Sequence, residues 1–101
     1  MSTMPDPAAG VFGISVAARM VGTGVQNLRA YERAGLLEPR RTPGGTRLYS
    51  SDDIDRLRRI AALLEAGLNL SGVAMVLHLE LENALLRAEI ADRRRPAADE
   101  T

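Results

Sequence analysis

The sequence predicts a mainly α-helical fold: a winged helix-turn-helix head with a short β-hairpin wing, followed by a C-terminal dimerisation helix. Three observations carry that expectation. Two short helix-patterned stretches, Val16 to Val21 and Thr23 to Gly35, are joined through Gly22, as in a helix-turn-helix. Pro39 and the turn Thr42-Pro43-Gly44-Gly45 then punctuate an arginine-rich segment, since proline cannot extend a helix and Pro-Gly pairs favour turns. Finally, Val76, Leu79, Asn83, Leu86 and Ile90 follow one another at intervals of 3, 4, 3 and 4, the spacing of a heptad seam.

The expected division is an N-terminal disordered arm over 1–11, the head over 12–78, the dimerisation helix over 79–95 and a disordered tail over 96–101. The first ten residues are rich in proline and small side chains, which bury too little apolar surface to order themselves. Ser15 is placed to cap the first helix, whose Val16, Ala17, Met20 and Val21 form its apolar face. Thr23 is the expected cap of the second helix and Gly35 its C-terminal stop. At 100° per residue Val25, Leu28 and Tyr31 share one side, and Gln26, Arg29, Ala30 and Arg33 the other. One face packs and the other is free to read. Extended pieces follow from Leu36 to Arg41 and from Thr46 to Tyr49, with Gly44 and Gly45 supplying positive φ between them. The hairpin they form carries Arg40, Arg41 and Arg47.

Ser50 or Ser51 should cap a third helix, with Asp52 and Asp53 at the positive end of its dipole. Its buried stripe is Ile54, Leu57, Ile60, Ala61 and Leu64, and Gly67 ends it. Arg56, Arg58 and Arg59 are most simply its solvated face, balanced by Asp52, Asp53 and Asp55, with a DNA role as the alternative. From Val73 to Arg95 the chain reads as helix again, in one piece or with a kink near His78. Branched residues at a, leucines at d and one Asn at a specify a dimer. Leu77, Leu81 and Leu85 offer a competing stripe that would pack on the head.

Composition narrows the function. The formal net charge of zero conceals a segregation: from Arg19 to Arg47 six arginines face Glu32 and Glu38, whereas from Ala61 onward four arginines face seven acids. A locally basic head suits a polyanion. Every basic residue is arginine, which suits bidentate contacts to phosphate or guanine and equally reflects GC-rich coding. There is no cysteine, so disulfides and thiolate metal sites are excluded, and His78 alone makes no metal site. No catalytic set can be assembled and no cofactor is expected. Without a signal peptide or an apolar run of membrane-spanning length, the expected location is the bacterial cytoplasm, at the nucleoid.

The motifs ISVAA at Ile14 to Ala18, QNLRAYERAGLLEPRRTPGG at Gln26 to Gly45, Arg47-x-Tyr49-Ser50, Asp53 and GLNLSGV at Gly67 to Val73 together resemble the MerR family of transcription regulators, most closely its heat-shock repressor (HspR-like) branch. The resemblance implies a MerR-like head whose second helix enters the major groove and whose wing grips the sugar-phosphate backbone of double-stranded DNA. It places Gln26, Asn27 and Arg29 at bases or nearby phosphates, and Tyr31, Arg40, Arg41, Arg47 and Tyr49 mainly at the backbone, with Arg33 on the same free face. Asn27 stands where threonine is common and Ala30 where a larger residue is common, so operator preference does not transfer. From residues alone, Tyr31 and Tyr49 serve equally well as core, and Glu32 as the partner of an arginine.

Sensor members add an effector domain or a cysteine loop after the dimerisation helix, and none is expected here. The expected function is therefore a homodimeric repressor on an inverted repeat near chaperone or stress genes, with an Hsp70-type chaperone as co-repressor. Two alternatives stand beside it. One is a chaperone modulator whose MerR-like head binds a J-domain co-chaperone, and the other an effector-less activator or architectural DNA-binding protein. The arginine wing favours DNA. Helix direction in the dimer stays open: relatives pair antiparallel, whereas Glu82 and Arg87 would attract in a parallel pair.

Overall fold

A computed structural model describes residues 6–96. The elements in chain order are β1 (Gly10–Phe12), α1 (Ile14–Val21), α2 (Val25–Arg33), β2 (Arg40–Arg41), β3 (Arg47–Ser50), α3 (Ser51–Glu65) and α4 (Leu70–Arg94). Among the described residues no helix is long and apolar enough to cross a membrane.

Part of the expected arm is structured. Residues 1–5 lie outside the described residues, but Asp6 starts a turn, its carboxylate accepting from Ala8 N–H at 2.9 Å and its carbonyl from Ala9 N–H at 2.9 Å. The chain then pairs as β1 antiparallel to β3, giving a three-stranded sheet of order β1-β3-β2. The sequence gives little sign of β1, because Gly10-Val11-Phe12 is too short to show alternation. Gly10 is needed there: a Cβ on it would come within 2.8 Å of Leu48 Cβ.

The first two helices begin differently from expectation. Helix α1 is capped by Gly13, and α2 by Gly24, neither with a side-chain cap bond. Ser15 lies inside α1, while Thr23 turns its hydroxyl to Asn27 Nδ2 at 2.7 Å. The turn between them needs Gly22, whose φ of 73° is left-handed. The buried face of α1 is Ala17 and Ala18, small enough for close packing, while Val16 and Met20 of the expected stripe remain exposed. Helix α2 buries Leu28 and Tyr31 as its periodicity requires. It ends at Gly35, where Gly35 N–H reaches Glu32 O at 2.9 Å and Leu36 N–H reaches Tyr31 O at 3.0 Å.

The wing is shorter than expected. Leu36 and Leu37 are drawn into the core rather than into a strand, so only Arg40 and Arg41 pair, with Leu48 and Arg47 respectively. Gly45 alone of the two tip glycines has positive φ. Ser50 both closes β3 and caps α3: its Oγ accepts from Asp53 N–H at 3.0 Å while Asp53 Oδ2 accepts from Ser50 N–H at 2.9 Å. This reciprocal box satisfies two otherwise orphaned donors.

One apolar core joins these parts. It holds Leu28, Leu36, Tyr49, Leu57 and Ile60, closed by Val73 and Leu77 from the start of α4. In α3 the buried row is Ile54, Leu57, Ile60 and Leu63; Leu63 replaces the expected Ala61 and Leu64, which are half-buried.

Helix α4 runs unbroken through His78. Only its first turns touch the head. Every residue from His78 to Pro96 is exposed, leaving Leu79, Leu81, Leu85, Leu86 and Ile90 about half or more in solvent. The stripe through Leu77 therefore reaches the core only at Leu77, and Leu81 and Leu85 do not fold back onto the head.

Candidate nucleic-acid interface

The free face of α2 follows from the burial of its opposite face. Because Leu28 and Tyr31 anchor the helix, Gln26, Asn27, Arg29 and Arg33 are turned outward and all four are exposed. Their side chains offer amide and guanidinium donors, the chemistry that base edges and phosphates accept. Asn27 is the most constrained, since its Nδ2 is held by Thr23.

The wing sits beside the far end of this row, tied to α2 through Glu32. Arg41 Nη2 lies 2.7 Å from Glu32 Oε2, and Arg47 Nε donates to Glu32 Oε1. These contacts, the hydrogen bond from Arg47 foremost, hold the Glu32 carboxyl below its ordinary value. Arg40 is exposed and forms no ion pair among the described residues. The wing tip is closed by Thr42 N–H to Thr46 O at 2.8 Å and Thr46 N–H to Thr42 Oγ1 at 3.1 Å.

The two tyrosines are not on this surface. Tyr49 is fully buried and Tyr31 is 8% exposed. Tyr49, which the resemblance placed at the DNA backbone, has its ring in the core instead. Its hydroxyl is buried without a partner, and burial, ahead of the nearby Glu32, pushes its ionisation up.

Two arginines assigned to the solvated face of α3 turn out to tie elements together. Arg56 Nε donates to Leu36 O, holding the segment after α2 against α3. Arg59 forks onto Glu80 of α4, with Nη2 to Oε2 at 2.6 Å. Arg58 alone behaves as expected, its closest acid being Asp55 at 3.9 Å. Sequence periodicity places these residues on one exposed face but cannot show what that face meets.

The expected dimerisation residues fall along α4 as one stripe. Leu79, Asn83, Leu86 and Ile90 are exposed and Val76 is half-buried at the edge of the core. Within the helix Arg87 Nε donates to Asn83 Oδ1 at 2.6 Å.

A helix pair, a β-hairpin wing and a basic free face between them define a winged helix-turn-helix module. The chain belongs to the MerR HTH family of regulatory proteins, whose sequence profile matches residues 12–80. That family is regulatory, not enzymatic. The chain is 43% identical over 83 residues to HspR, named as a heat shock protein, of Streptomyces coelicolor, covering 81% of this chain and 55% of that protein. It is 39% identical over 83 residues to the HTH-type transcriptional repressor CarH of Myxococcus xanthus, covering 81% of this chain and 27% of that one. The chain thus spans about half the length of the first of these relatives and about a quarter of the second. Among solved structures, the transcription regulator PbrR691 from Ralstonia metallidurans, in complex with lead(II), matches with a TM-score of 0.67 and 31% identity over 83% of this chain and 73% of that one. HiNmlR, a MerR family regulator lacking the sensor domain and bound to promoter DNA, shares the fold, with a TM-score of 0.60 at 20% identity over 83% of this chain and 79% of that one.

Proposed function

We propose that this protein is a homodimeric, sequence-specific repressor that binds an inverted repeat in double-stranded DNA, at promoters of chaperone or stress genes. The observation that carries this reading is the outward row Gln26, Asn27, Arg29 and Arg33, held rigid by the burial of Leu28 and Tyr31 and flanked by the arginine wing. In this reading Gln26, Asn27 and Arg29 address base edges, Arg33 and Arg40 neutralise phosphates, and Arg41 and Arg47 meet the backbone from beside Glu32. The heat-shock relative supports the choice of target genes and CarH the sign of regulation. An Hsp70-type chaperone is the proposed co-repressor, and the place of action the bacterial cytoplasm at the nucleoid.

Dimerisation is supported by the free length of α4. A helix that leaves its last buried contact at Leu77 and then exposes five large apolar side chains gains little stability alone. A second copy aligned on Val76, Leu79, Asn83, Leu86 and Ile90 would cover the seam and set two heads apart on one duplex.

The test is selection of a randomised duplex library by the purified chain at physiological salt, with sedimentation of the protein on the enriched duplex. The expected result is an inverted repeat carrying two chains. Enrichment of no sequence, with only weak and salt-sensitive binding, would overturn this function and favour a chaperone modulator that binds a J-domain co-chaperone.

A further inference from the structure

Arg41 and Arg47 are direct partners across the β2–β3 ladder. Two like charges facing each other on neighbouring strands push the strands apart. Glu32 resolves the conflict from outside the hairpin, giving one carboxylate oxygen to each guanidinium. Arg41 also spans the turn to Gly45 O at 3.0 Å. The Glu32 side chain is only 18% exposed, so this junction between α2 and the wing is half shielded from solvent, while Arg41 keeps 44% and Arg47 27% of their side-chain surface open. Among the described residues Arg47 uses only Nε for this contact. Its two terminal amino groups remain to meet an anion.

We propose that Glu32 is a positioning residue that sets DNA specificity: it fixes Arg41 and Arg47 beside α2, so that the wing meets phosphates in register with the bases under Gln26, Asn27 and Arg29. The inference rests on the DNA-reading assignment above. A wing freed from Glu32 has two uncompensated arginines, Arg47 released at Nε and Arg41 held only through Gly45 O, that can find phosphates on any duplex. It would then gain general affinity and lose discrimination, because phosphate contacts orient a protein on DNA but carry no sequence information. An acid on a DNA-facing helix, which by charge alone repels the duplex, thus acts by deciding where its arginines stand.

The experiment titrates the full chain and its Glu32→Gln variant against the enriched inverted repeat and a random duplex of equal length, over a series of salt concentrations. Melting temperature is measured in parallel. The variant is expected to bind the random duplex at least as tightly as wild type and with a steeper salt dependence, as more counterions are released. Its preference for the inverted repeat should fall about tenfold, the scale of one misplaced base contact. If Glu32→Gln does not fold, Glu32→Asp, which keeps the charge but shortens the reach, carries the same comparison with a smaller expected fall. An unchanged preference in a folded variant, or losses on both duplexes in proportion to a lowered melting temperature, overturns the proposal. A wild-type chain that prefers no duplex overturns the DNA-reading assignment itself, whereas a discriminating wild type with an indifferent variant overturns the role of Glu32 alone.

Discussion

Arg59 of α3 and Glu80 of α4 are joined by a forked ion pair, with Nη2 to Oε2 at 2.6 Å and Nε to the two oxygens at 3.1 and 3.2 Å. The pair lies just beyond Leu77, where α4 leaves the core. Its hydrogen bonds raise the Arg59 ionisation and lower that of Glu80, yet both side chains are about half exposed. Exposed pairs contribute little to stability and are screened by salt. The contact sits where α4 departs from the head, so it is placed to bias the angle of that departure and, in a dimer, the separation of the two heads.

Substituting Arg59→Ala or Glu80→Ala is therefore expected to leave the melting temperature close to wild type while relaxing the choice of half-site spacing. Titration against inverted repeats with spacers one base pair longer and shorter checks this. Unaltered spacing preference would show that Val73 and Leu77 alone aim the helix.

Tyr49→Phe separates the two roles that sequence left open for this residue. Removing a buried hydroxyl that has no partner should stabilise the chain by about 1 kcal/mol, the lower end of the cost of an unsatisfied buried group. DNA affinity should not change. Urea titration and duplex binding on the same variant check both halves, and a fall in affinity without loss of stability would return Tyr49 to the interface.

Acid should loosen the wing. The Glu32 carboxyl is held below its ordinary value of 4.5, so its contribution to stability is fully present above that value and disappears as pH falls through the lowered folded-state value. Urea midpoints of wild type and Glu32→Gln, measured from neutral to acid pH, should therefore differ most near neutrality and converge below the usual carboxylate range. A difference that stays constant with pH would mean that Glu32 does not act through its charge.

Much of the head was legible because its signals are local. Glycine stops, the Pro39 break, the serine cap of α3 and the 3.6-residue burial of Leu28 and Tyr31 each depend on neighbours a few residues away. The free face of α2 followed from the same periodicity. What escaped the sequence depends on distant partners. Strand β1 exists because β3 offers an edge to Gly10–Phe12, and the roles of Arg56 and Arg59 are decided by Leu36 and Glu80, 20 and 21 residues away. Tyr49 shows the limit most clearly: an aromatic on a hairpin strand can face either side, and the unexpected third strand accompanies an inward face. Periodicity likewise gave α1 a face containing Val16 and Met20, whereas close packing selected Ala17 and Ala18.

The central claim, that the free face of α2 reads bases, is tested most directly by Arg29→Ala. Wild type and variant are titrated in parallel, at one salt concentration, against the enriched inverted repeat and a scrambled duplex. Arg29 is exposed beside the buried Leu28, so its truncation should leave the fold intact. The expected result is a loss of about 1–3 kcal/mol on the inverted repeat and a much smaller loss on the scrambled duplex. Equal losses on both would contradict it and reduce Arg29 to a phosphate contact.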